Sequence, residues 1–205
     1  MLSLYYKPGA CSLAVHVLLR ELGADFELKH FKAEEDALKK INPFANVPTI
    51  EDGDFHMREG GAILTWLCDE HQSELLPQKG AERAEALQWL MFANATLHPT
   101  YGRLFRANGM TLNLPDKNAI LNDAGAKIQK CWDVIDEQLE GQSYICGEAF
   151  TVADILLTVI ANWTPGLPIE VTFSDNLKAY FKRVSDRESF QNALDAEDVT
   201  YKAAA

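Results

Sequence analysis

The chain has 205 residues, of which 47% are hydrophobic and 24% charged, so it can form a substantial core and is too apolar for a disordered or collagen-like chain. Its 30 acidic residues outnumber 19 basic ones, which gives a net charge of −11. This charge would repel nucleic-acid phosphates and anionic lipids. We therefore expect a globular protein with neither nucleic acid nor membrane as a partner.

The cysteines and the N-terminal segment both indicate a reducing cytoplasm. The charge and the breakers in Lys7-Pro8-Gly9 interrupt the apolar run that an export signal needs. No C-x-x-C pair and no zinc-type grouping occurs among the cysteines, which are Cys11, Cys68, Cys131 and Cys146. The sequence therefore predicts a cytoplasmic protein without a metal site or a disulfide framework.

The first part of the chain alternates short apolar runs with segments of helical periodicity. Turn formers separate them, such as Pro8-Gly9 after the first run and Asp52-Gly53 inside a hairpin. In chain order we predict a strand, a helix, a strand, a short helix, a hairpin and a helix, over residues 2–6, 12–22, 26–30, 33–40, 47–57 and 60–68. A parallel crossover followed by an antiparallel hairpin on one sheet is the thioredoxin-like order.

The second part of the chain has a different pattern. After a polar linker over residues 72–81, which carries Pro77 and Gly80, the sequence shows no convincing strand. Helical patterning recurs instead over residues 82–97, 117–139, 152–162, 177–185 and 189–196. The sequence predicts an α/β thioredoxin-like domain over residues 1–77 and an all-α domain over residues 82–205.

Cys11 is the first candidate for chemistry, because it follows a strand and a Pro-Gly turn at the point where a helix begins. Free N–H groups and the helix dipole at such a position are expected to lower the pKa of a thiol, and the Ser12 hydroxyl could donate to the sulfur. Ala14 replaces a resolving cysteine, so a mixed disulfide with a small thiol would persist. The alternative is a cysteine that only fills space in the core.

Two further segments have the character of a binding site. A residue before proline favours extended geometry, so Val47 before Pro48 could offer its backbone N–H and C=O to a ligand; a proline that only starts an edge strand is the alternative. Glu59 and Gly60 precede a helix, where free N–H groups could bind a carboxylate and Glu59 could accept from an ammonium group. A simple turn is the alternative there.

Two more residue pairs need an assignment. Thr151 and Asp154 open a strongly apolar helix with the spacing of a capping box, and we assign them to folding rather than to catalysis. We expect the helix before Pro99 to end at His98, and an isolated histidine is commonly structural. Together with Cys11, however, this histidine could serve as the base of a cysteine hydrolase, and the sequence does not fix the distance between them.

Five segments together resemble the cytosolic glutathione S-transferases over nearly the whole chain, namely residues 6–13, 42–43, 46–48, 59–63 and 150–154. The Cys11 segment and Leu97-His98 are similar to the bacterial beta class, whose active-site residue is a cysteine. The resemblance implies that the thioredoxin-like domain binds glutathione and that the helical domain supplies most of the electrophile pocket. It also implies a cytoplasmic homodimer with a role in detoxification.

By the same resemblance, Cys11 and His98 are the catalytic residues beside the glutathione sulfur. The backbone before a cis proline would pair with the cysteinyl part of glutathione, and the start of the next helix would hold the γ-glutamyl end. Gly60 stands where the family often has serine. The residues expected to bind glutathione are Tyr6, Ser12, Val47, Pro48, Glu59 and Gly60.

The expected activity is conjugation of reduced glutathione, the co-substrate, to small and largely apolar electrophiles. A glutathione-dependent thiol–disulfide reductase or peroxidase is one alternative, because a cysteine at position 11 permits thiol–disulfide exchange. A non-catalytic binding or adaptor protein is another, because a fold does not fix a function.

Overall fold

The structure, a computed structural model, describes residues 1–109 and 114–205. Its first part contains four strands and three helices, and each forms close to where the sequence predicts it. These elements are β1 (Leu2–Tyr6), α1 (Ser12–Glu21), β2 (Phe26–His30), α2 (Glu35–Ile41), β3 (Thr49–Asp52), β4 (Phe55–Arg58) and α3 (Gly60–Glu70).

The strands form one mixed sheet in the order β2-β1-β3-β4. β1 runs parallel to β2, with Leu4 opposite Leu28, and antiparallel to β3, with Leu4 opposite Ile50. β3 and β4 form the predicted hairpin, whose turn contains Gly53 at a φ of +59°. The predicted thioredoxin-like order is therefore confirmed.

Helix α1 connects this sheet to the rest of the molecule. Its apolar residues are buried because they recur at helical spacing, and it ends where Gly23 takes a φ of +61° and the N–H of Ala24 donates to the carbonyl of Leu19. The helix packs on α3 and on two helices of the second part of the chain. The turn between β1 and α1, which carries Cys11, therefore lies where the two parts meet.

The second part is helical, as predicted. Its elements are α4 (Gly80–Met91), a π-helical turn (Phe92–Leu97), α5 (His98–Gly109), α6 (Leu114–Gln138), α7 (Val152–Ala161), α8 (Asp175–Ser185) and α9 (Glu188–Glu197). Every residue of α7 is buried, and this helix contacts α1, α4 and α8, so it forms the centre of the core. None of the helices in the described part of the chain is long and apolar enough to cross a membrane.

The helix α5 corrects a prediction. We expected helical structure to end at His98, whereas α5 begins there and continues to Gly109. α5 follows the π-helical turn without a break, since the N–H of His98 donates to the carbonyl of Ala93, five residues back. Pro99 has no N–H to donate, and the altered hydrogen-bond spacing of the π-helical turn accommodates it. The π-helical turn before His98 changes the direction in which the following residues project.

Candidate active site

One cavity of about 270 Å³ collects most of the residues that the sequence singles out. Of the eight residues expected to be catalytic or to bind glutathione, six line it, and they come from four separate segments. The remaining lining residues come from the loop before β3, the π-helical turn, α5 and α7. The complete lining is Cys11, Asn46, Val47, Pro48, Glu59, Gly60, Asn94, His98, Pro99, Gly102 and Leu156.

Cys11 lies directly before α1, and its thiol donates to the backbone carbonyl of Val47 at 3.3 Å. Burial raises the pKa of this thiol to about 11, and the negative charge of Glu59 acts in the same direction. The backbone N–H groups of Cys11 and Ser12 lower the pKa, but by less than burial raises it. The expected lowering of the Cys11 thiol pKa is therefore wrong, because the burial of the thiol outweighs the effect of the helix terminus.

Alkylation of Cys11 should show this pKa directly. A thiol with a pKa of about 11 is ionised to only about one part in ten thousand at pH 7, so we expect the reaction with iodoacetamide to be slow and to accelerate about tenfold per pH unit from pH 7 to 9. Peptide mapping by mass spectrometry separates Cys11 from the other cysteines, and Cys11→Ala is the blank. A rate that levels off below pH 9 would contradict the raised pKa.

His98 is the first residue of α5, and its ring packs against Trp163 with the centroids 5.0 Å apart. Burial lowers the pKa of His98 below its usual value, and the charge of Glu59 opposes this shift without reversing it. The imidazole is therefore mainly neutral at pH 7. Its ring nitrogens make no hydrogen bond with any other residue in the described ranges, so they are available to a bound ligand.

The backbone of Val47 reaches the cavity from a loop that Asn42 holds in place. The buried Asn42 side chain donates to the Asn46 carbonyl at 3.1 Å and to the Thr49 hydroxyl at 2.9 Å. The peptide between Val47 and Pro48 is cis, as the family resemblance implies. The Val47 carbonyl accepts from the Cys11 thiol, so a ligand N–H that binds this carbonyl at the same position would displace the thiol.

Glu59 is held in a backbone conformation that favours glycine, with φ at +74° and ψ at 106°. A non-glycine residue there costs of order 1 to 3 kcal/mol, and such residues cluster at ligand-binding sites. The next peptide group is fixed from the other part of the chain, because the N–H of Gly61 donates to the side chain of Asn94 at 3.2 Å. Glu59 and the first residue of α3, Gly60, thus line the cavity side by side.

Comparison with known proteins identifies the family of this chain. A family model described as the glutathione S-transferase N-terminal domain matches residues 1–69, and one described as the C-terminal domain matches residues 96–188. Glutathione S-transferase GstA of Escherichia coli O157:H7 is 31% identical over 206 residues, which cover 96% of this chain and 98% of that protein. The chain belongs to the glutathione S-transferase family.

Solved structures of glutathione S-transferases have the same fold. A bacterial beta class glutathione S-transferase from Sphingomonas chungbukensis superposes with a TM-score of 0.84 at 29% identity and covers 97% of this chain and 100% of its own. A sphingomonad glutathione S-transferase complexed with glutathione gives a TM-score of 0.82 at 31% identity, again over 97% and 100% of the two chains. The resemblance to bacterial glutathione S-transferases is confirmed.

Two of the residues expected to bind glutathione do not line the cavity of this transferase. The Ser12 side chain is buried and hydrogen-bonds to the backbone of Lys7, accepting from its N–H at 3.1 Å and donating to its carbonyl at 3.3 Å. Tyr6 packs edge-on against His30 with the ring centroids 5.7 Å apart. Ser12 therefore holds the turn that carries Cys11, whereas Tyr6 packs between the ends of β1 and β2.

The helical part of the transferase holds the same turn through Gly9, which the sequence does not indicate. The N–H of Gly9 donates to the buried carboxylate of Glu197 at 2.9 Å, and its carbonyl accepts from the indole of Trp163 at 2.7 Å. Glu197 also contacts the buried His16 at 2.9 Å. Glycine is required here since its φ is +67°. The position of Cys11 therefore depends on contacts from both parts of the chain.

Proposed function

We propose that this transferase conjugates reduced glutathione to small, largely apolar electrophiles at the cavity that contains Cys11. The supporting observation is that Cys11, His98, Val47 and Glu59 line one cavity although they are far apart in the sequence. The N-terminal side of this cavity offers backbone groups and a carboxylate, and the helical side adds Pro99, Gly102 and Leu156 as less polar wall. These two chemistries suit a peptide-like thiol and an apolar electrophile.

Glutathione would bind along the N-terminal side. Its cysteinyl backbone would pair with Val47, and its N–H would replace the Cys11 thiol as the donor to the Val47 carbonyl. Its γ-glutamyl ammonium would bind the carboxylate of Glu59, and its γ-glutamyl carboxylate would bind the N–H groups at the start of α3. Once the Val47 carbonyl accepts from glutathione, the Cys11 thiol is free to donate to the glutathione sulfur.

The chemical step needs the thiolate of glutathione. A thiol with a pKa of about 8.5 is only a few per cent ionised at neutral pH, and lowering its pKa by about two units is worth about 2.7 kcal/mol. A donated bond from the protonated Cys11 thiol and proton acceptance by neutral His98 both favour that thiolate. The sulfur then attacks the electrophilic carbon, a carbon–sulfur bond forms, and the leaving group departs with its electron pair.

Thiol–disulfide exchange is the second candidate, because Cys11 is a free thiol that lines the same cavity. It requires Cys11 itself to attack as the thiolate, which the raised pKa of this residue disfavours. A protonated Cys11 suits hydrogen-bond donation better than attack. We therefore place conjugation first and exchange second.

The wider organisation is also part of the proposal. Residues 1–77 would form the glutathione-binding domain and residues 82–205 the domain that supplies the electrophile pocket. The transferase would act as a cytoplasmic homodimer in detoxification, as its family resemblance implies. Phe44, which is 80% exposed, and Phe55, which is 41% exposed, support a partner surface on the N-terminal domain.

Glutathione is expected to bind the wild-type transferase and raise its melting temperature, since a ligand selective for the native state stabilises it. Glu59→Gln should raise the Kd about tenfold or more, because it loses a charge-assisted hydrogen bond worth roughly 1.5 to 3 kcal/mol. Isothermal titration calorimetry measures both proteins. Glu140→Gln, the same change at an exposed residue outside the cavity, is the control. No heat and no thermal shift at millimolar glutathione would contradict the proposed function.

A further inference from the structure

A second hollow lies along helix α5, next to the cavity that contains Cys11. This hollow has a volume of about 630 Å³, and Pro99 and Gly102 belong to the linings of both. Its other walls are Arg103, Arg106, Ala107 and Ile120. An electrophile that enters the cavity from the helical side therefore has room to extend along α5.

Gly102 lines both hollows and has no side chain that could obstruct passage between them. Glycine inside a helix costs roughly 0.5 to 1 kcal/mol relative to alanine, so it usually has a backbone or packing reason. Neither reason applies, because its φ is not positive and a Cβ placed on it would meet nothing within 4 Å. We call the open space beside Gly102 the junction.

The outer end of the second hollow is positively charged. Arg103 and Arg106 are three residues apart on α5 and thus share one face of the helix. Neither side chain forms an ion pair or hydrogen bond with any residue of the described ranges, and no acidic residue lines this hollow. On a chain with a net charge of −11, two unpaired guanidinium groups beside an otherwise apolar hollow are a local exception.

We propose that the second substrate of this transferase is an electrophile with an apolar body and a carboxylate, and that Arg103 and Arg106 bind the carboxylate. This inference rests on the proposed conjugation activity and specifies its substrate class. At 1.5 Å per residue, the two arginines lie about 6 and 10 Å along α5 from Pro99. Arginine side chains are long, so their guanidinium groups can extend from α5 toward the cavity, and they bind carboxylates with paired hydrogen bonds.

A pair of activated aryl chlorides tests the proposal. The probes are 4-chloro-3,5-dinitrobenzoate and its uncharged methyl ester. In each, the thiol proton of glutathione passes to His98 and from there to solvent, the sulfur bonds to the carbon that carries chlorine, and chloride leaves with the bonding pair. Each kcat/KM is divided by the rate constant of the uncatalysed reaction with glutathione, because the ester is intrinsically the more reactive. The ratio of the carboxylate value to the ester value is the quantity compared between variants.

We expect this ratio to be about ten or more in the wild type, because the two arginines form charge-assisted hydrogen bonds with the carboxylate. The preference should appear as a lower KM for the carboxylate probe than for the ester. The double variant Arg103→Gln/Arg106→Gln should bring the ratio close to one. Lys127→Gln/Lys182→Gln removes the same charge from exposed residues that line neither hollow, and it should keep the wild-type ratio. Thermal melting verifies that the variants are folded.

Gly102→Leu tests the path separately. Its side chain would occupy the junction, so kcat/KM for both probes should fall about tenfold or more. Normal rates in this variant, or a wild-type ratio near one, or a ratio unaffected by the arginine substitutions, would overturn the inference. Conjugation of the ester without preference for the carboxylate refutes this inference alone. Absence of conjugation with either probe refutes the proposed function and the inference together.

Discussion

Cys11→Ala is expected to retain a substantial fraction of conjugation and to lose disulfide reduction entirely. In conjugation the glutathione sulfur is the nucleophile, and the Cys11 thiol, whose pKa is raised to about 11, contributes a hydrogen bond. Losing one such bond costs about 1 kcal/mol, or roughly fivefold in rate. In thiol–disulfide exchange, by contrast, Cys11 must itself form the mixed disulfide, so Cys11→Ala cannot reduce a disulfide by this mechanism.

Two activity assays on the same proteins separate these roles. Conjugation is measured with a model aryl halide, and reduction is measured with a mixed disulfide of glutathione and a small thiol. Cys68→Ala is the matched control, because Cys68 is buried and lies outside the cavity. Undiminished disulfide reduction in Cys11→Ala would show that Cys11 only packs the site, and complete loss of conjugation would show that it is more than a hydrogen-bond donor.

Intact mass gives an independent measurement of the same residue. Incubation with oxidised glutathione should add one glutathione to the wild type at Cys11, and a reductant should remove it, since Ala14 leaves no second thiol within the motif to resolve the adduct. The addition should be slow near pH 7 and faster at higher pH, in line with the raised pKa of the thiol. Adducts confined to Cys131 or Cys146 would contradict the assignment.

Local sequence signals were sufficient for most of the fold. Period-two and helical apolar patterns, with breakers at Gly23 and Asp52-Gly53, are properties of neighbouring residues, and the elements they predict are present. The helix α5 was missed for the same reason. Pro99 indicates a helix end when it is considered with its neighbours, and only the π-helical turn before it shows that a new helix starts there.

The site was predictable where a residue type and a turn occur together, as at Cys11 and Glu59. Contacts between distant parts of the chain left no such signal. Glu197 binds Gly9 across 188 residues, and Asn94 is an asparagine in a helical stretch until the fold brings it to the start of α3. The thiol pKa of Cys11 is a further example, because burial depends on the whole tertiary structure.

Asp154→Ala is expected to lower the free energy of unfolding by roughly 3 to 5 kcal/mol, because it leaves several buried hydrogen-bond donors unpaired at about 1 to 3 kcal/mol each, and removal of the buried carboxylate offsets part of this cost. The predicted capping box is present at the start of α7, where the Asp154 carboxylate accepts from the backbone N–H of Thr151 at 2.7 Å and from its hydroxyl at 2.8 Å. The same carboxylate accepts from the N–H of Ile145 at 2.8 Å and from the hydroxyl of Tyr180 at 2.9 Å. The substitution leaves these buried donors unpaired.

Urea unfolding followed by circular dichroism measures this loss, and the midpoint should shift without a large change in slope. Asp175→Ala is the matched control, since Asp175 is exposed in the first turn of α8 and a surface substitution there should cost at most about 0.5 kcal/mol. Asp154→Asn keeps the shape of the side chain, and its loss of unfolding free energy should lie between those of Asp154→Ala and Asp175→Ala. The amide still accepts through its oxygen, but its NH2 group faces donors where the second carboxylate oxygen stood.

A loss below about 1 kcal/mol in Asp154→Ala would mean that water or neighbouring groups replace the carboxylate, and it would contradict a structural role of this size. Kinetics distinguish stability from catalysis in the same variant. Asp154 does not line the cavity, whereas Leu156, two residues further along α7, does. At a temperature where the variant is still folded, its KM for glutathione should therefore stay near the wild-type value, and its activity should decline with temperature in parallel with its unfolding.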